Sequence, residues 1–394
     1  MATYINANSV AFSNNTFENN KNIVNVDLRN TAFVNNRMHS AFYNCTNLQS
    51  VTNINTSVTD MLFTFDGCSS LVNAPIIPNS VTSMDCTFRG CSKLINAPAI
   101  PNSVINMYST FGGCSNLVNA PSIPNSVTDM YGTFDACSKL VSAPNIPNSV
   151  TNMRHTFRSC SNLVNAPAIP NSVTDMSETF SSCKNLVNAP VIPNSVTSMY
   201  GTFDACSKLV SAPNIPNSVT NMCRTFYRCT NLVNAPVIPN SVTNMYSTFR
   251  GCSKLINAPT IPNSVTDMRR TFDGCSNLVN APAIPNSVTN MNVTFNGCSN
   301  LTGNIYIHSN QISIATNCFY NTSLTKNVYI PFTYENNTNT QTYNSFIAAG
   351  YDTAGTINGV YLKNINEIPP SLSYSRDIAK DLIYNSSTGN YDPV

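Results

Sequence analysis

The chain has no tryptophan, only three histidines and few charged residues. Charged side chains make up 10% of its 394 residues, and the formal net charge is +2. Nucleic acids and anionic membranes are bound through a surplus of basic residues, so we expect neither as a partner. No stretch is long and apolar enough to span a bilayer, and the opening MATYINANSV lacks the basic and apolar regions of a signal peptide. We therefore expect no membrane insertion and no export by the signal-peptide route.

Patterns typical of active sites and metal sites are also missing. His39, His155 and His308 are scattered, and no H-E-x-x-H, G-x-S-x-G or phosphate-binding glycine loop occurs. No paired-acid motif is found either. The sequence therefore predicts a protein that is not an enzyme and that holds no cofactor and no metal.

Cysteine is abundant instead, and its spacing indicates a repeat. Twelve of the 15 cysteines follow one another at intervals of 23 residues, and phenylalanine, leucine and methionine recur at the same interval. A period of this length is typical of a solenoid, in which each coil buries its apolar side by stacking on its neighbours. The row consists of Cys45, Cys68, Cys91, Cys114, Cys137, Cys160, Cys183, Cys206, Cys229, Cys252, Cys275 and Cys298.

We expect the cysteines of this row to be buried free thiols. Each one stands among apolar residues, and thiols one coil apart with parallel side chains have poor disulfide geometry. A straight row also offers a metal only one ligand per coil. Cys86 and Cys223 lie outside the row at positions predicted to point outward, which makes them the more reactive thiols by this reasoning.

One coil, residues 104–124, shows which side chains should face inward. Its apolar residues recur three or four apart, whereas a strand would place them two apart. V-T-x-M predicts a short strand, T-F-x-x-C-S-x-L predicts one helical or 3-10 turn, and the prolines of A-P-x-I-P limit regular pairing. The predicted inward residues of this coil are Val104, Met107, Phe111, Cys114, Leu117, Ala120 and Ile123.

The repeated core F-x-x-C-S-x-L, followed by I-P-N-S-V-T-x-M, resembles the BspA-type leucine-rich repeats of bacterial surface proteins, which also repeat every 23 residues. The segment V-T-x-M-x-x-T-F is similar to related surface-protein repeats, with Thr110 where their pattern has methionine. The resemblance implies a right-handed solenoid that binds partners and catalyses no reaction. We thus predict a mainly β, leucine-rich-repeat-like solenoid of about 12 coils, with short helical or 3-10 turns and a cap at each end.

The pattern divides the chain into four segments. Residues 1–37 are rich in asparagine and are predicted as an N-terminal cap, and residues 38–301 carry the repeats. Residues 302–364 hold a decayed coil and a closing segment that resembles those of repeat arrays encoded by bacteriophages of gut bacteria. Residues 365–394 are predicted as a tail with a short helix over 367–384. Terminal coils must differ from internal ones because no neighbour covers their outer faces.

The coils differ from one another mainly at three outward positions, which we call the variable strip. They are the two residues after each methionine from Met61 to Met291 and the residue after the phenylalanine that follows. Seven of the chain's 11 arginines fall in the strip, with several tyrosines and no lysine. Tyrosine and arginine are frequent anchors of binding surfaces. The residues predicted to bind a ligand are Tyr108, Tyr131, Arg154, His155, Arg158, Tyr200, Arg224, Tyr227, Tyr246, Arg250, Arg269 and Arg270.

Two explanations of this variation stay open. Outward positions drift in any solenoid, but drifting surfaces usually fill with lysine and glutamate, and Glu178 is the only glutamate in the strip. Selection for recognition is the other explanation. The block YGTFDACSKLVSAPNIPNSVTNM occurs unchanged at residues 131–153 and 200–222, so we infer that whole coils are duplicated and their outward residues then change.

The leading hypothesis is a phage virion protein, associated with the tail or a fibre, that binds a protein or glycan receptor on a bacterium. One alternative is a bacterial cell-surface adhesin that binds host matrix or other cells. Another is a structural virion decoration or filament subunit that forms homo-oligomers. In a virion, the N-terminal cap or the C-terminal tail would hold the attachment site. All three hypotheses place the protein in a virion or at an extracellular surface.

Overall fold

The computed structural model describes residues 4–6, 11–29, 31–323, 326–331, 340–352, 355, 360–365, 383–385 and 390–392. It contains two compact units, Met1–Leu232 and Val233–Val394. Named strands and helices are short and lie toward the two ends of the chain. The strands are β1 (Tyr4–Asn6), β2 (Ala11–Phe12), β3 (Asn25–Asp27), β4 (Ala32–Phe33), β5 (Ser50–Thr52), β6 (Ile305–Tyr306), β7 (Lys326–Ile330), β8 (Val360–Asn364), β9 (Ile383–Asn385) and β10 (Asn390–Asp392). The helices are a 3-10 helix, Val34–Asn36, and α1, Gln341–Ala348.

Parallel pairing joins most of these strands. In the first unit, β3 lies between β1 and β5, and β2 pairs with β4. In the second unit, β7 lies between β6 and β8, with Val328 opposite both Ile305 and Leu362. β9 and β10 pair antiparallel. Parallel pairing fits coils that stack, because each coil runs in the same direction as the one before it.

Between the two ends of the chain, the coils within each unit pair at isolated residues rather than over continuous strands. One row of parallel bridges runs through the residue before each methionine, as between Asn106 and Asp129. A second row runs through the residue before A-P, as between Asn96 and Asn119. The strand predicted for V-T-x-M is therefore reduced to one bridge. The second bridge is equally short because the prolines of A-P-x-I-P have no N–H to donate.

The segment T-F-x-x-C-S-x-L alternates between hydrogen bonds inside its coil and hydrogen bonds to the next coil. The Phe111 N–H donates to the Thr133 carbonyl oxygen at 2.9 Å, whereas the Cys114 N–H donates to the Phe111 carbonyl oxygen at 3.0 Å. The bond from Cys114 is the kind that the predicted turn requires. The turn does not continue into a helix, because Gly113 has a left-handed φ of +77°.

Five rows of side chains form the core of each unit, one from each of the valine, methionine, phenylalanine, cysteine and leucine positions. The prediction of these inward rows is confirmed, since every member in the coil of residues 104–124 is fully buried. Ala120 and Ile123 are only half-buried, contrary to the prediction. They belong to the A-P-x-I-P segment, which lies at the edge of the core. The fully buried residues of this coil are Val104, Met107, Thr110, Phe111, Cys114 and Leu117.

Phenylalanine contributes the largest buried side chains, and its rings stack from coil to coil. In the first unit, neighbouring ring centroids from Phe42 to Phe226 lie 5.4 to 5.9 Å apart. In the second unit, those from Phe249 to Phe295 and on to Phe319 lie 5.5 to 5.8 Å apart. Loss of one such side chain typically costs about 3–5 kcal/mol, so this ladder is a main source of stability.

Buried polar side chains bond to backbone carbonyls of the neighbouring coil. The Thr110 hydroxyl donates to the Met84 carbonyl oxygen at 2.9 Å, and the Cys114 thiol donates to the Phe88 carbonyl oxygen at 3.1 Å. Ser126 donates in the same way to Val104 at 2.6 Å. These bonds explain why threonine, cysteine and serine recur at fixed positions, since a buried carbonyl without a donor is costly.

In the second unit, α1 packs on the last phenylalanine of the ladder. The Thr340 side chain caps the helix by accepting from the Tyr343 N–H at 3.2 Å. The Phe346 ring lies 6.0 Å from the Phe319 ring, and the Tyr351 hydroxyl accepts from the Phe319 N–H at 2.9 Å. The helix predicted over 367–384 lies outside the described residues, apart from its last two positions, which belong to the strand β9.

Burial makes the thiols inert, including the two that were predicted to be reactive. Cys86 is only 1% exposed and Cys223 is also buried, so the prediction of outward thiols was wrong. Burial raises the pKa of Cys86 to about 11, which keeps it in the thiol form. All 15 cysteines are buried thiols outside any disulfide.

We predict that a maleimide labels none of the 15 cysteines rapidly in the native chain and all of them after unfolding in concentrated guanidinium. Burial and the raised pKa values both oppose attack by the thiol. Mass spectrometry of the labelled peptides measures the extent at each site. A Cys86→Ser variant serves as the control, and fast labelling that this variant abolishes would contradict the burial of Cys86.

Candidate recognition surface

The backbone of the variable strip is fixed by the residue before each methionine, which is aspartate, asparagine or serine in the repeats. Asn106 Oδ1 accepts from the Tyr108 N–H at 3.0 Å, and Asp129 Oδ1 accepts from the Tyr131 N–H at 2.8 Å. This side-chain turn requires a short polar residue, which explains the restricted choice. It holds the first strip residue of a coil whatever its side chain is.

The second strip residue has a left-handed backbone. Its φ is +48° at Ser109, +55° at His155 and +52° at Glu178. The Ser109 N–H donates at 2.8 Å to the carbonyl oxygen of Tyr131, the first strip residue of the next coil. In the coil that occurs twice unchanged, glycine takes this position, and a Cβ at Gly132 would lie 3.0 Å from Ser109 Oγ. Glycine thus relieves both the backbone strain and a close contact at this point.

Aromatic residues of the strip meet in the first unit. The Tyr108 and Tyr131 rings stack with centroids 4.8 Å apart and planes 9° apart. The His155 ring lies 5.1 Å from the Tyr131 ring at a tilt of 43°. Tyr108 is 41% exposed, the most of these three, and burial raises its pKa above the usual value. Tyr200 lies farther along the strip, half-buried, and its pKa is raised by the same cause.

Most arginines of the strip in the first unit are paired with carboxylates. Arg158 contacts both oxygens of Asp135, at 3.0 and 2.8 Å, and its Nη1 lies 3.6 Å from Glu178. Arg154 lies 3.7 Å from Asp175. Half-exposed pairs such as these contribute at most about 1 kcal/mol each to stability. They restrict the conformations of the arginine side chains, which are therefore held in place on the surface.

Two further predicted residues of the first unit, Arg224 and Tyr227, contact each other. The Arg224 guanidinium lies 4.5 Å from the centre of the Tyr227 ring and donates to Asp204 Oδ2 at 2.6 Å. The guanidinium of Arg228, which was not predicted, lies 5.1 Å from the centre of the same ring. Cations over tyrosine faces add about 0.5–1 kcal/mol at exposed sites. The ring of Tyr227 is therefore flanked by positive charge.

In the second unit, the predicted residues form a smaller group. The Arg269 guanidinium lies 5.1 Å from the centre of the Tyr246 ring and pairs with Asp267 at 2.6 Å. Arg250 pairs with Asp273 at 2.9 Å. Arg270 takes the left-handed position, with a φ of +55°. Pairs of aromatic and basic residues thus occur on the strip of both units.

Asp85 is a strip residue that the sequence reasoning missed. Its Oδ2 accepts from Asn106 at 3.0 Å, but its Oδ1 is buried without a hydrogen-bond partner. Burial raises the pKa of Asp85 to about 6, and the nearby carboxylates of Asp129 and Asp60 add to the effect. The sequence did contain a signal that could have identified Asp85, because it is an aspartate directly after methionine, where several other coils have tyrosine or arginine.

A second variable position was also missed, the x of A-P-x-I-P. It holds small or β-branched residues and asparagine, without any aromatic or charged residue. Ile76, Val191 and Val237 are among the most exposed apolar residues of the chain, at 91%, 86% and 82%. In the first unit, coils with polar or smaller residues at this position lie between those of Ile76 and Val191.

Neither a metal site nor a membrane span is apparent in the part of the chain that the structure describes. No three histidine, cysteine or acidic side chains there are placed to hold a metal ion. The helices in the same part are too short to cross a bilayer. The cysteine row is poorly suited to supply ligands, because its thiols are buried and thiols such as that of Cys114 donate to a carbonyl.

We predict that Asp85→Asn raises the thermal midpoint at about pH 7.5 and has little effect at about pH 4. The folded chain binds a proton at Asp85 more tightly than the unfolded chain does. Stability from this group is therefore complete below the unfolded pKa near 4 and is lost as the pH rises through about 6. Circular dichroism melts over this range measure the effect. Asp135→Asn, at an aspartate whose two oxygens are both paired with Arg158, is the control, and an equal shift in both variants would contradict the role of the buried oxygen.

Comparison with known proteins identifies the family. A family model described as BspA type leucine rich repeat region matches overlapping segments that span most of the chain, at residues 3–118, 62–164, 87–210, 154–279 and 222–347. A search of curated proteins found no match.

Two solved structures are similar to the chain. A leucine-rich repeat protein from Bacteroides ovatus is 23% identical, covers 76% of this chain and 82% of its own, and has a TM-score of 0.55. A leucine rich cell surface protein from Faecalibacterium prausnitzii is 22% identical, with 77% and 85% covered and a TM-score of 0.45. The first likeness supports the repeat fold. The family match over most of its length shows that the chain belongs to the BspA-type leucine-rich repeat family.

Proposed function

We propose that this chain is a non-enzymatic recognition protein that adheres to a cell surface through the variable strip. One observation carries the proposal. The backbone of the strip is held by the same hydrogen bonds in coil after coil, while its side chains differ. Binding surfaces are commonly built in this way, with changeable side chains on a rigid scaffold.

The contacts between coils favour recognition over random drift. Strip residues of neighbouring coils are complementary, as for Arg158 with Asp135 and for Tyr131 with Tyr108. Drift at independent positions would not produce such pairs repeatedly. Ordered arginine and tyrosine side chains lose less conformational entropy when they bind a partner, which makes them efficient contacts.

The setting that family membership supports is a bacterial cell surface. Proteins with BspA-type repeats are typically binding scaffolds at the cell surface. A phage virion, with the chain on a tail or fibre as its receptor-binding protein, is the second setting. It is favoured by the closing segment, α1 and β8, whose sequence resembles that of phage-borne arrays. Antibody labelling of intact cells and of purified virions separates the two.

We predict that the fluorescently labelled chain binds intact gut bacteria, such as Bacteroides ovatus, or surfaces coated with host matrix. A variant with serine at five strip arginines should lose at least about tenfold in affinity. The substituted residues are Arg154, Arg158, Arg224, Arg250 and Arg269. Flow cytometry over a concentration series measures the binding.

The matched control removes the same number of exposed positive charges from positions of the repeats outside the strip. It carries serine at Lys93, Lys139, Lys184, Lys208 and Lys254, which are exposed and lie outside the strip. This variant should bind as the wild type does. Equal loss in both variants, no loss in either, or no binding by the wild type would overturn the proposal and leave a structural role for the strip.

A further inference from the structure

In one part of the strip in the first unit, aromatic and charged side chains contact one another from coil to coil. We call it the Tyr–Arg cluster. Its members come from four successive coils, which stacking brings next to one another. It consists of Tyr108, Tyr131, Asp135, His155, Arg158 and Glu178.

The cluster carries no surplus of positive charge. Its single guanidinium, from Arg158, contacts two carboxylates, those of Asp135 and Glu178. His155 Nδ1 lies 3.4 Å from Glu178 Oε2, and burial lowers the pKa of His155, so its ring is mostly neutral at pH 7. Anionic ligands such as phosphate or sulfate groups would meet net negative charge here.

The polar groups are fixed in position and remain partly open to solvent. Both Asp135 oxygens are held by Arg158, whose side chain is still 42% exposed. A carboxylate oxygen has two lone pairs, so each Asp135 oxygen can accept a second hydrogen bond. Neighbouring hydroxyl groups on a sugar match such paired donors and acceptors, as the oxygens of a carboxylate match a guanidinium.

The tyrosines add an apolar surface beside these groups. One face of the Tyr108 ring is covered by Tyr131, and the preceding coil has Asp85 at the equivalent position, without a ring to cover the other face. The C–H groups on one side of a sugar ring pack well on such a partly exposed aromatic ring. A ring contact next to fixed polar groups orients a ligand through a small number of contacts.

A protein partner would fit the cluster less well. Burial of a paired guanidinium and carboxylate under an apolar surface carries a large desolvation penalty. The cluster itself offers no aliphatic anchor for such a surface. A ligand rich in hydroxyl groups replaces the lost water with hydrogen bonds, so the penalty is largely offset.

We infer that the Tyr–Arg cluster binds a neutral glycan of the target surface. This inference rests on the proposed function and names the chemical class of the ligand that the strip recognises. Selectivity against acidic sugars follows from the two carboxylates. Tyr108 packs on the ring of the sugar, and Asp135 with Arg158 binds neighbouring hydroxyl groups.

The experiment uses the full chain and the cells to which it binds. One portion of cells is treated with mild periodate, which oxidises sugars by cleaving the carbon–carbon bond between neighbouring carbons that carry hydroxyl groups, and another with a protease. Neutral polysaccharide purified from the same cells and dextran sulfate serve as soluble competitors. We expect periodate treatment and the neutral polysaccharide to reduce binding at least about tenfold, and protease treatment and dextran sulfate to leave it unchanged.

Variants connect this result to the cluster. The pair Tyr108→Ser and Tyr131→Ser should weaken binding to the neutral polysaccharide at least about tenfold, as measured by calorimetry. Arg158→Lys should weaken it as well, because lysine keeps the charge but cannot hold both oxygens of Asp135. Tyr306→Ser, which removes a similar stack with Tyr329 at 5.1 Å outside the strip, should bind as the wild type does. Circular dichroism confirms that each variant is folded.

The outcomes separate the inference from the function on which it rests. Binding that survives periodate but is lost after protease treatment identifies a protein receptor and overturns the glycan inference, while the proposed function stands. Competition by dextran sulfate also overturns it, because the cluster would then be an anion site. Binding that is equally strong in the five-arginine variant overturns the proposed function itself.

Discussion

Backbone hydrogen bonds from one coil to the next are the constraint on which the other features depend. The Phe111 N–H reaches Thr133, 22 residues ahead, and the Thr128 N–H reaches Ile105, 23 residues back. Such bonds need the same chain length in each coil and parallel directions, but no particular side chain. The length of the repeat is therefore strict, while the residues that point away from the core are free to differ.

Side chains that face inward lose that freedom, because each must fill a fixed space or satisfy a fixed carbonyl. Phe111 stacks between the rings of its neighbours, and Thr110 donates to a carbonyl of the preceding coil. Cys114 combines both tasks, since its small apolar side chain fits the core and its thiol reaches the Phe88 carbonyl oxygen at 3.1 Å. This explains a long row of cysteines that forms no disulfide.

The unchanged duplicate coils show how the surface depends on context. Asp135 and Asp204 occupy the same position in identical sequences, yet they pair with different residues of the following coil. Asp135 contacts Arg158, after the phenylalanine, whereas Asp204 contacts Arg224, the second residue after the methionine. Identical coils thus present different surfaces, because a neighbour one coil away completes each pair. Duplication followed by change in one neighbour is enough to alter the strip.

The sequence by itself determined the repeat, the inward rows and the position of the strip, because a 23-residue period acts on every coil alike and is visible in one chain. It did not determine the contacts across coils. Cys86 was predicted outward but is buried, and Asp85 was not selected although its carboxylate lacks a partner for one buried oxygen. Left-handed backbone at Ser109 and the ion pair of Arg158 were equally invisible. Only the tertiary structure decided these features, since burial, φ and pairing depend on residues 20 or more positions away that stacking brings into contact.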